Sequence, residues 1–422
     1  MKPSALSKLG SRTAAPAISW LMELTLSRPK LVSLAAGFTD NSSLPVKESK
    51  ELLRRILSSQ RNGEAALQYG STPGDAELRS LTVERLKQAD GVKGSAPHYT
   101  ADRVVMTHGS QQLLYILTEA LCDTGDIILV EDPTYFVYLG IAQSHGLRCR
   151  GVRLTPSGID LPDLERVLEN LKKRGELPRL KMLYLVTYFQ NPTGYSTTLA
   201  NKEAALKLLR RYEKAAGHPI YLLEDAAYRE LHFAGEDVPS ALSLKGCSDR
   251  VLYTSTYSKP FATGIRVGYG VLPEPVLTAV LRIKGNHDFG TSHILQKILA
   301  GAIRTGAYQK HLVRLRKRYA LKAEVMVQAI RKHFPKDVEY EVPKGGLYVW
   351  ARLPAKASAG VKSVLFQRAL KNDVLYVPGE LCYAEDATRK KPANEMRISF
   401  GSAGEKAIRE GIGRLGSALK AK

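Results

Sequence analysis

Val251-Leu-Tyr-Thr-Ser-Thr-Tyr-Ser-Lys259-Pro-Phe-Ala-Thr-Gly-Ile-Arg266-Val-Gly-Tyr-Gly270 decides the fold. Its first four residues are β-branched, apolar or aromatic and, with the serine after them, read as a buried strand, Val251–Ser255. The polar run that follows ends on a lysine. Placing an ammonium behind a buried strand is costly, and the same desolvation lowers its pKa and makes the free amine nucleophilic. Hydroxyls at Thr256 and Ser258 and a guanidinium at Arg266 suit a phosphate. Taken singly, Lys259 and Arg266 read equally well as surface charges on a turn.

Working outward, the pattern repeats. Asp126-Ile-Ile-Leu-Val130 precedes an acidic, proline-bearing loop at Glu131, Asp132 and Pro133. Met182-Leu-Tyr-Leu-Val-Thr187 runs into Asn191-Pro-Thr-Gly194, and Ile220-Tyr-Leu-Leu223 ends on Glu224-Asp225. Helical patterns separate these runs, which is the mark of βαβ units and a parallel sheet. Each run ends in polar residues at its carboxyl end, where open α/β sheets bind ligands. Earlier, a helix is expected over Ala17–Leu26 and a short apolar run over Leu31–Ala36. After about residue 285 the chain changes character. Ser292–Lys332 reads as one long basic helix, followed by a strand at Gly346–Ala351, a helix at Ser363–Lys371 and a strand at Met396–Phe400, which together suggest a smaller α+β unit.

The 422 residues are 44% apolar and 24% charged, enough for a sizeable core and unlike a disordered or fibrous chain. Lys and Arg outnumber Asp and Glu by 62 to 41, a formal charge of +21, which attracts anions without naming one. No apolar run approaches the ~20 residues of a membrane span. Residues 1–15 are basic and hydroxyl-rich, a faint likeness to a transit peptide. Cys122, Cys149, Cys247 and Cys382 show no paired spacing, so no disulfide framework or metal site is indicated. The expectation is a cytoplasmic enzyme.

Five further positions matter jointly. Ser110 and Gln111, in Gly109-Ser-Gln-Gln112, open a helix whose N-terminus favours an anion, with Ser110 its natural cap. Asn191 stands at a strand end, where it could simply begin a turn. Asp225, a carboxylate ending an apolar strand, needs a cation or serves as a helix cap. Tyr135 follows Pro133 and is otherwise a loop anchor. An anion site, an amide, a carboxylate and a reactive lysine with its arginine, in that order on successive βα units, describe a cradle for pyridoxal 5′-phosphate.

On these motifs the sequence resembles the fold-type I pyridoxal-phosphate enzymes, specifically the class I/II aminotransferases, in their kynurenine/2-aminoadipate branch. The resemblance runs from about Leu31 to Gly401. It implies a large domain with a mainly parallel seven-stranded sheet between helices, plus a smaller α+β domain. Residues 1–50 would contribute to the small domain and an active-site lid. Residues 51–290 would form the cofactor-binding domain, and residues 291–422 the connecting helix and C-terminal small domain. Lys259 would be the Schiff-base and proton-transfer residue, and Asp225 would keep the ring nitrogen protonated. Asn191 and Tyr228 would hold the phenolic oxygen, and Tyr135 would stack on the ring. Ser110, Gln111, Thr256, Ser258 and Arg266 would bind the phosphate. Arg397 would grip the substrate α-carboxylate, with Gly37 and Asn191 touching substrate. Tyr69 would reach the cofactor phosphate of a neighbouring subunit, implying a homodimer with shared sites. No metal, nucleic acid or membrane partner is expected.

The implied reaction passes the amino group of an L-amino acid to a 2-oxo acid such as 2-oxoglutarate, by ping-pong kinetics. Where the branch often has Ile-Arg in its first helix, this chain has Ile18-Ser19, and the loop from Gly37 to Pro45 lacks an early proline. Both departures count against a long acidic donor and favour an aromatic or apolar one, with Trp20, Phe38 and Tyr69 as expected pocket walls. The nearest rival is a lyase or decarboxylase on the same cradle, since the scissile bond is set by a torsion that the sequence leaves open. A nucleic-acid-binding regulator built on the same body would need a further domain ahead of Leu31. A nicotinamide enzyme would need a G-x-G-x-x-G between an early strand and a helix, and Gly264, Gly268 and Gly270 do not supply it.

Overall fold

The computed structural model describes residues 5–94 and 96–421; residues 1–4, the start of the transit-like stretch, lie outside the described residues. In chain order the strands are β1 (Val32–Ser33), β2 (Val104–Thr107), β3 (Ile127–Asp132), β4 (Arg148–Thr155), β5 (Gly158–Ile159), β6 (Leu180–Val186), β7 (Tyr221–Asp225), β8 (Val251–Thr256), β9 (Gly268–Val271), β10 (Glu339–Tyr340), β11 (Tyr348–Arg352), β12 (Val374–Leu375), β13 (Val377–Pro378) and β14 (Glu395–Ser399).

The large sheet has the order β2-β9-β8-β7-β6-β3-β4-β5. Strands β8, β7, β6, β3 and β4 are parallel neighbours, while β9 runs antiparallel between β2 and β8. Seven strands make the expected, mainly parallel sheet, and β5 adds a two-residue antiparallel turn-back on β4 at the edge. Strands β7 and β8 are buried at every position and read as continuous apolar runs because helices cover both faces.

The strands end later than the sequence suggests. Glu131 and Asp132, expected in a loop, belong to β3, because parallel pairing with β4 continues to Asp132 opposite Arg153. Glu131 tolerates this burial by accepting from the Val186 N–H and the Gln190 side chain, both at 3.0 Å. Consecutive side chains on a strand face opposite ways. Glu224 therefore meets Lys202 at 2.8 Å on one face, while Asp225 turns to the other.

The helix expected over Ser292–Lys332 is two helices, His293–Arg304 and Ala307–His333, because Gly306 takes a left-handed φ of +73° between them. A second sheet, β10-β11-β14-β13, lies beyond it. The N-terminal segment returns to this end of the molecule. β1 pairs in parallel with β12, Val32 opposite Val374, and the Leu34 carbonyl accepts from the Ser399 N–H at 2.7 Å. Just beyond, Asp40 receives Lys322 Nζ at 2.9 Å, and that ammonium also donates to the Gly401 carbonyl at 2.6 Å.

Burial alone would raise the Asp40 carboxyl, but bonds from Ser42, Lys322 and Ser43 bring it down from an ordinary 3.8 to about 2. Because the native pKa is the lower one, the stabilisation is complete above about pH 4 and drains away as pH falls toward 2. Asp40→Ala strands a buried ammonium and is expected to cost about 3–5 kcal/mol in urea denaturation at neutral pH. A cost below about 1 kcal/mol would mean that the pair is effectively solvated.

Candidate active site

The carboxyl ends of β2, β3, β6, β7 and β8 converge on a cavity of about 200 Å³. Ten residues singled out in the sequence line it: Ser110, Gln111, Tyr135, Asn191, Asp225, Tyr228, Thr256, Ser258, Lys259 and Arg266. They come from the carboxyl ends of five separate strands and the segments that follow them, and the sheet order alone brings them together.

One end of the cavity is built for an anion. The helix Gly109–Leu121 begins at its wall with no side chain capping it. Ser110 is not the cap that the sequence suggests. His108 holds that position, and Ser110 is already inside the first turn. An uncapped first turn of a thirteen-residue helix is free to serve a ligand instead. Gly109 has φ +72°, and a Cβ there would lie 2.7 Å from Arg266 Nη2. A Cβ on Gly268 would lie 2.3 Å from the Ser110 nitrogen, so only glycines let these backbones close into a cup.

Arg266 adopts a left-handed φ of +48° and donates to Ser258 Oγ at 3.2 Å and to the Thr263 carbonyl at 3.4 Å. Among the described residues no carboxylate pairs with it. Thr256 lines the cavity with its hydroxyl committed to the loop: it donates to the Val267 carbonyl at 3.2 Å and accepts from the Ser258 N–H at 3.0 Å.

Lys259 is enclosed by protein except where it meets the cavity. Its Nζ donates to the Gly37 carbonyl at 2.7 Å. Desolvation lowers its pKa from 10.5 to about 8, helped by the positive charges of Arg266 and Arg397. Asp225, 3% exposed, accepts from the Tyr184 hydroxyl at 3.0 Å and from the Ala227 N–H at 3.1 Å. It caps no helix. Burial raises its carboxyl to about 6, against the lowering effect of those two donors.

Arg397 of β14 lies 2% exposed and donates to Asn191 Oδ1 at 2.7 Å and to the Ala35 carbonyl at 2.6 Å. With its oxygen so engaged, the Asn191 amide presents its NH₂ as the free donor. Arg397 Nε has no partner. Gly37 is held beneath Tyr348, where an added Cβ would come 2.6 Å from the phenol oxygen.

Three expectations do not converge here within this chain, and one of them, Phe38, is half-exposed and does not line the cavity. Tyr69 is 81% exposed, with its ring edge to face on Phe289 at 5.4 Å. Trp20 turns away from the cavity to pack on Phe366 at 5.8 Å, since its side of the helix Ala17–Leu26 faces the helix Val364–Lys371. Tyr184 and Tyr348 were not singled out. Both sit inside apolar strand runs, where a tyrosine reads as core.

The charges do not cancel internally. Lys259, Arg266 and Arg397 lack carboxylate partners, and Asp225 lacks a cationic one, among the described residues. A ligand with a phosphate at the cup, an aldehyde at the lysine, a protonated ring nitrogen at Asp225 and a carboxylate at Arg397 would complete every one. The donor set therefore fits pyridoxal 5′-phosphate with an amino or 2-oxo acid.

Comparison with known proteins agrees with this geometry. The profile of the family described as aminotransferase class I and II matches residues 29–415. A 2-aminoadipate transaminase of Thermus thermophilus is 34% identical, over 100% of this chain and 98% of the relative. An aromatic-amino-acid aminotransferase of Thermococcus litoralis is 30% identical over 92% and 88%. The crystal structure of a Pyrococcus horikoshii kynurenine aminotransferase, in complex with PMP, superposes with a TM-score of 0.88 at 29% identity, covering 99% of this chain and 97% of that one.

The depressed lysine makes a direct prediction. In the cofactor-free protein, the rate at which an aromatic aldehyde adds to Lys259 rises with pH and levels off just above pH 8, because the amine is free above its pKa of about 8. A rate still climbing at pH 10 would show an ordinary, solvated ammonium.

Proposed function

The chain belongs to the class I and II aminotransferases and is a transaminase whose cofactor is pyridoxal 5′-phosphate. From that premise we propose that it moves the amino group of an L-amino acid with an aromatic, apolar or 2-aminoadipate-like side chain to a 2-oxo acid such as 2-oxoglutarate, by ping-pong kinetics. The observation that carries this reading is a lysine whose amine becomes free near pH 8 rather than above pH 10, set in one cavity with an unpaired buried carboxylate and close to a buried arginine without a carboxylate partner among the described residues.

The cofactor supplies an electron sink for the charge left when a substrate Cα proton departs. Lys259 would hold the cofactor aldehyde and, with its amine free, would carry the proton away from the substrate Cα. Asp225 keeps the ring nitrogen protonated, and a cation there returns its own pKa below 6. The Asn191 NH₂ and the Tyr228 hydroxyl would hold the phenolic oxygen, and Tyr135 would cover the ring. Ser110, Gln111, Thr256, Ser258 and Arg266 form the phosphate cup. Arg397 binds the α-carboxylate through the fork that now holds Asn191 and Ala35.

An apolar groove of about 830 Å³, with Ala17, Ile18, Phe136, Val137 and Leu381 among its walls, adjoins the cavity through Gln111, which lines both. Its chemistry favours an aromatic or apolar donor. Tyr69 and Phe289, exposed side by side, suit contact with a second copy of the chain, so we take the working unit to be a homodimer. The same reading takes residues 51–290 as the cofactor domain, and residues 1–50 with 291–422 as the part that closes over it.

The test is spectroscopic. Purified protein with its cofactor should absorb at roughly 360–430 nm, and Lys259→Ala should lose the lysine-dependent band. A productive donor bleaches this band toward the pyridoxamine form, and a 2-oxo acid restores it. Release of pyruvate and ammonia, or of carbon dioxide, without that interconversion would make the chain a lyase or decarboxylase instead. Arg397→Lys, which loses the bidentate fork, should lower kcat/KM by about 10–100-fold, with most of the loss in KM.

A further inference from the structure

Tyr348 has no role in the reading above, yet three groups of the site meet on it. It lies on β11, 2% exposed, paired with Ser399 of β14. Its hydroxyl is 3.0 Å from the Tyr228 hydroxyl, and the two rings meet edge to face at 5.7 Å. Its ring lies 4.3 Å from the Arg397 guanidinium. The Gly37 backbone, whose carbonyl holds Lys259, passes so close to the phenol oxygen that no side chain fits between. The other ionisable groups facing the pair are Tyr135 at the end of β3, Arg397, and Tyr319 of the helix Ala307–His333.

A phenol has one proton to donate and can accept in return. Between two phenols at 3.0 Å, one oxygen donates and the other accepts. If Tyr228 spends its proton on the phenolic oxygen of the cofactor, it can only accept from its neighbour, and the donor must be Tyr348. We propose that Tyr348 is a positioning residue acting through Tyr228. Its O–H donates to the Tyr228 oxygen, fixes the direction of the Tyr228 proton, and strengthens that proton as a donor, because linked hydrogen bonds polarise one another. The inference rests on the reading that Tyr228 faces the cofactor's phenolic oxygen.

The consequence is measurable without turnover. A strong donor at the phenolic oxygen withdraws electron density and makes the lysine-derived nitrogen conjugated with it less basic. Weakening the donor therefore raises the pH at which the visible band of the lysine-bound cofactor loses its proton. That midpoint is read by absorbance titration for the native holoenzyme, Tyr348→Phe, Tyr228→Phe and the double variant. Phenylalanine keeps the ring against Arg397, so packing is preserved and only the hydroxyl is lost.

Tyr228→Phe should raise the midpoint by more than about one pH unit and Tyr348→Phe by about half a unit. The double variant should match Tyr228→Phe alone, because Tyr348 acts only through that oxygen. An unmoved midpoint in Tyr348→Phe, beside a moved one in Tyr228→Phe, overturns the inference and leaves the functional reading intact. Additive shifts in the double variant overturn it too, since Tyr348 would then act independently. If Tyr228→Phe itself moves nothing, the placement of Tyr228 at the phenolic oxygen fails, and the inference with it.

Discussion

Lys259 has no carboxylate to meet it, and much of the molecule is arranged to keep it so. Among the described residues three lysines are fully buried, and each has its acid: Lys202 with Glu224, Lys284 with Asp288, and Lys322 with Asp40. In each, the partner carboxylate opposes the lowering that burial imposes on the ammonium's pKa. Lys259 meets only a backbone carbonyl, which accepts a hydrogen bond without contributing a full negative charge. That carbonyl belongs to Gly37, 222 residues away in sequence, so its position has to be secured by other means. The Asp40–Lys322 pair, three residues further on, does this, aided by β1 on β12. One buried ion pair thus holds in place the partner of the lysine that must remain unpaired.

The cavity lies at a seam between two sheets, and the seam is stitched by backbone as much as by side chains. Gly345 and Gly346 bring the start of β11 against Phe189, where a Cβ on either would come within 2.5–2.8 Å of that side chain. Phe189 itself takes a positive φ of 43°, a strained conformation that the surrounding packing enforces. Two residues on is Asn191, held by Arg397 from the opposite sheet. Arg397 and Asn191, from opposite sheets, are therefore registered to each other before any ligand arrives, which is what preorganisation requires.

Much of this was legible in the sequence because it depends on local chemistry. Apolar runs that stop at Asp225, Thr256 and Asn191 mark strand ends, and strand ends are where a doubly wound sheet binds its ligand. The limits of the reading are equally physical. Glu131 and Asp132 looked like loop residues because their compensation comes from Val186, Gln190 and strand β4, far along the chain. Ser110 looked like a cap because its residue type favours one, whereas the close approach of Gly268 and Arg266 sets that turn. Gly306 splits a helical pattern whose apolar period runs straight through it. Trp20 was assigned to the pocket by its position in the chain, while the rotation of its helix turns it onto Phe366. Tyr184 and Tyr348 were invisible because a tyrosine in an apolar strand carries no sign of where its hydroxyl points.

The pairing of Val32 with Val374 spans most of the polypeptide. A ribosome releases Val32, Leu34 and Gly37 long before it makes β12 and β14, so the first fifty residues emerge with their apolar side uncovered. Contacts this distant carry a large loop-closure cost and form late. The large sheet, contained within residues 104–271, can assemble while the N-terminal segment is still waiting. A complete cavity is then the last thing the nascent chain acquires: a chain made only as far as the large sheet has Lys259 in place, but neither β12, on which the segment leading to Gly37 is held, nor Arg397.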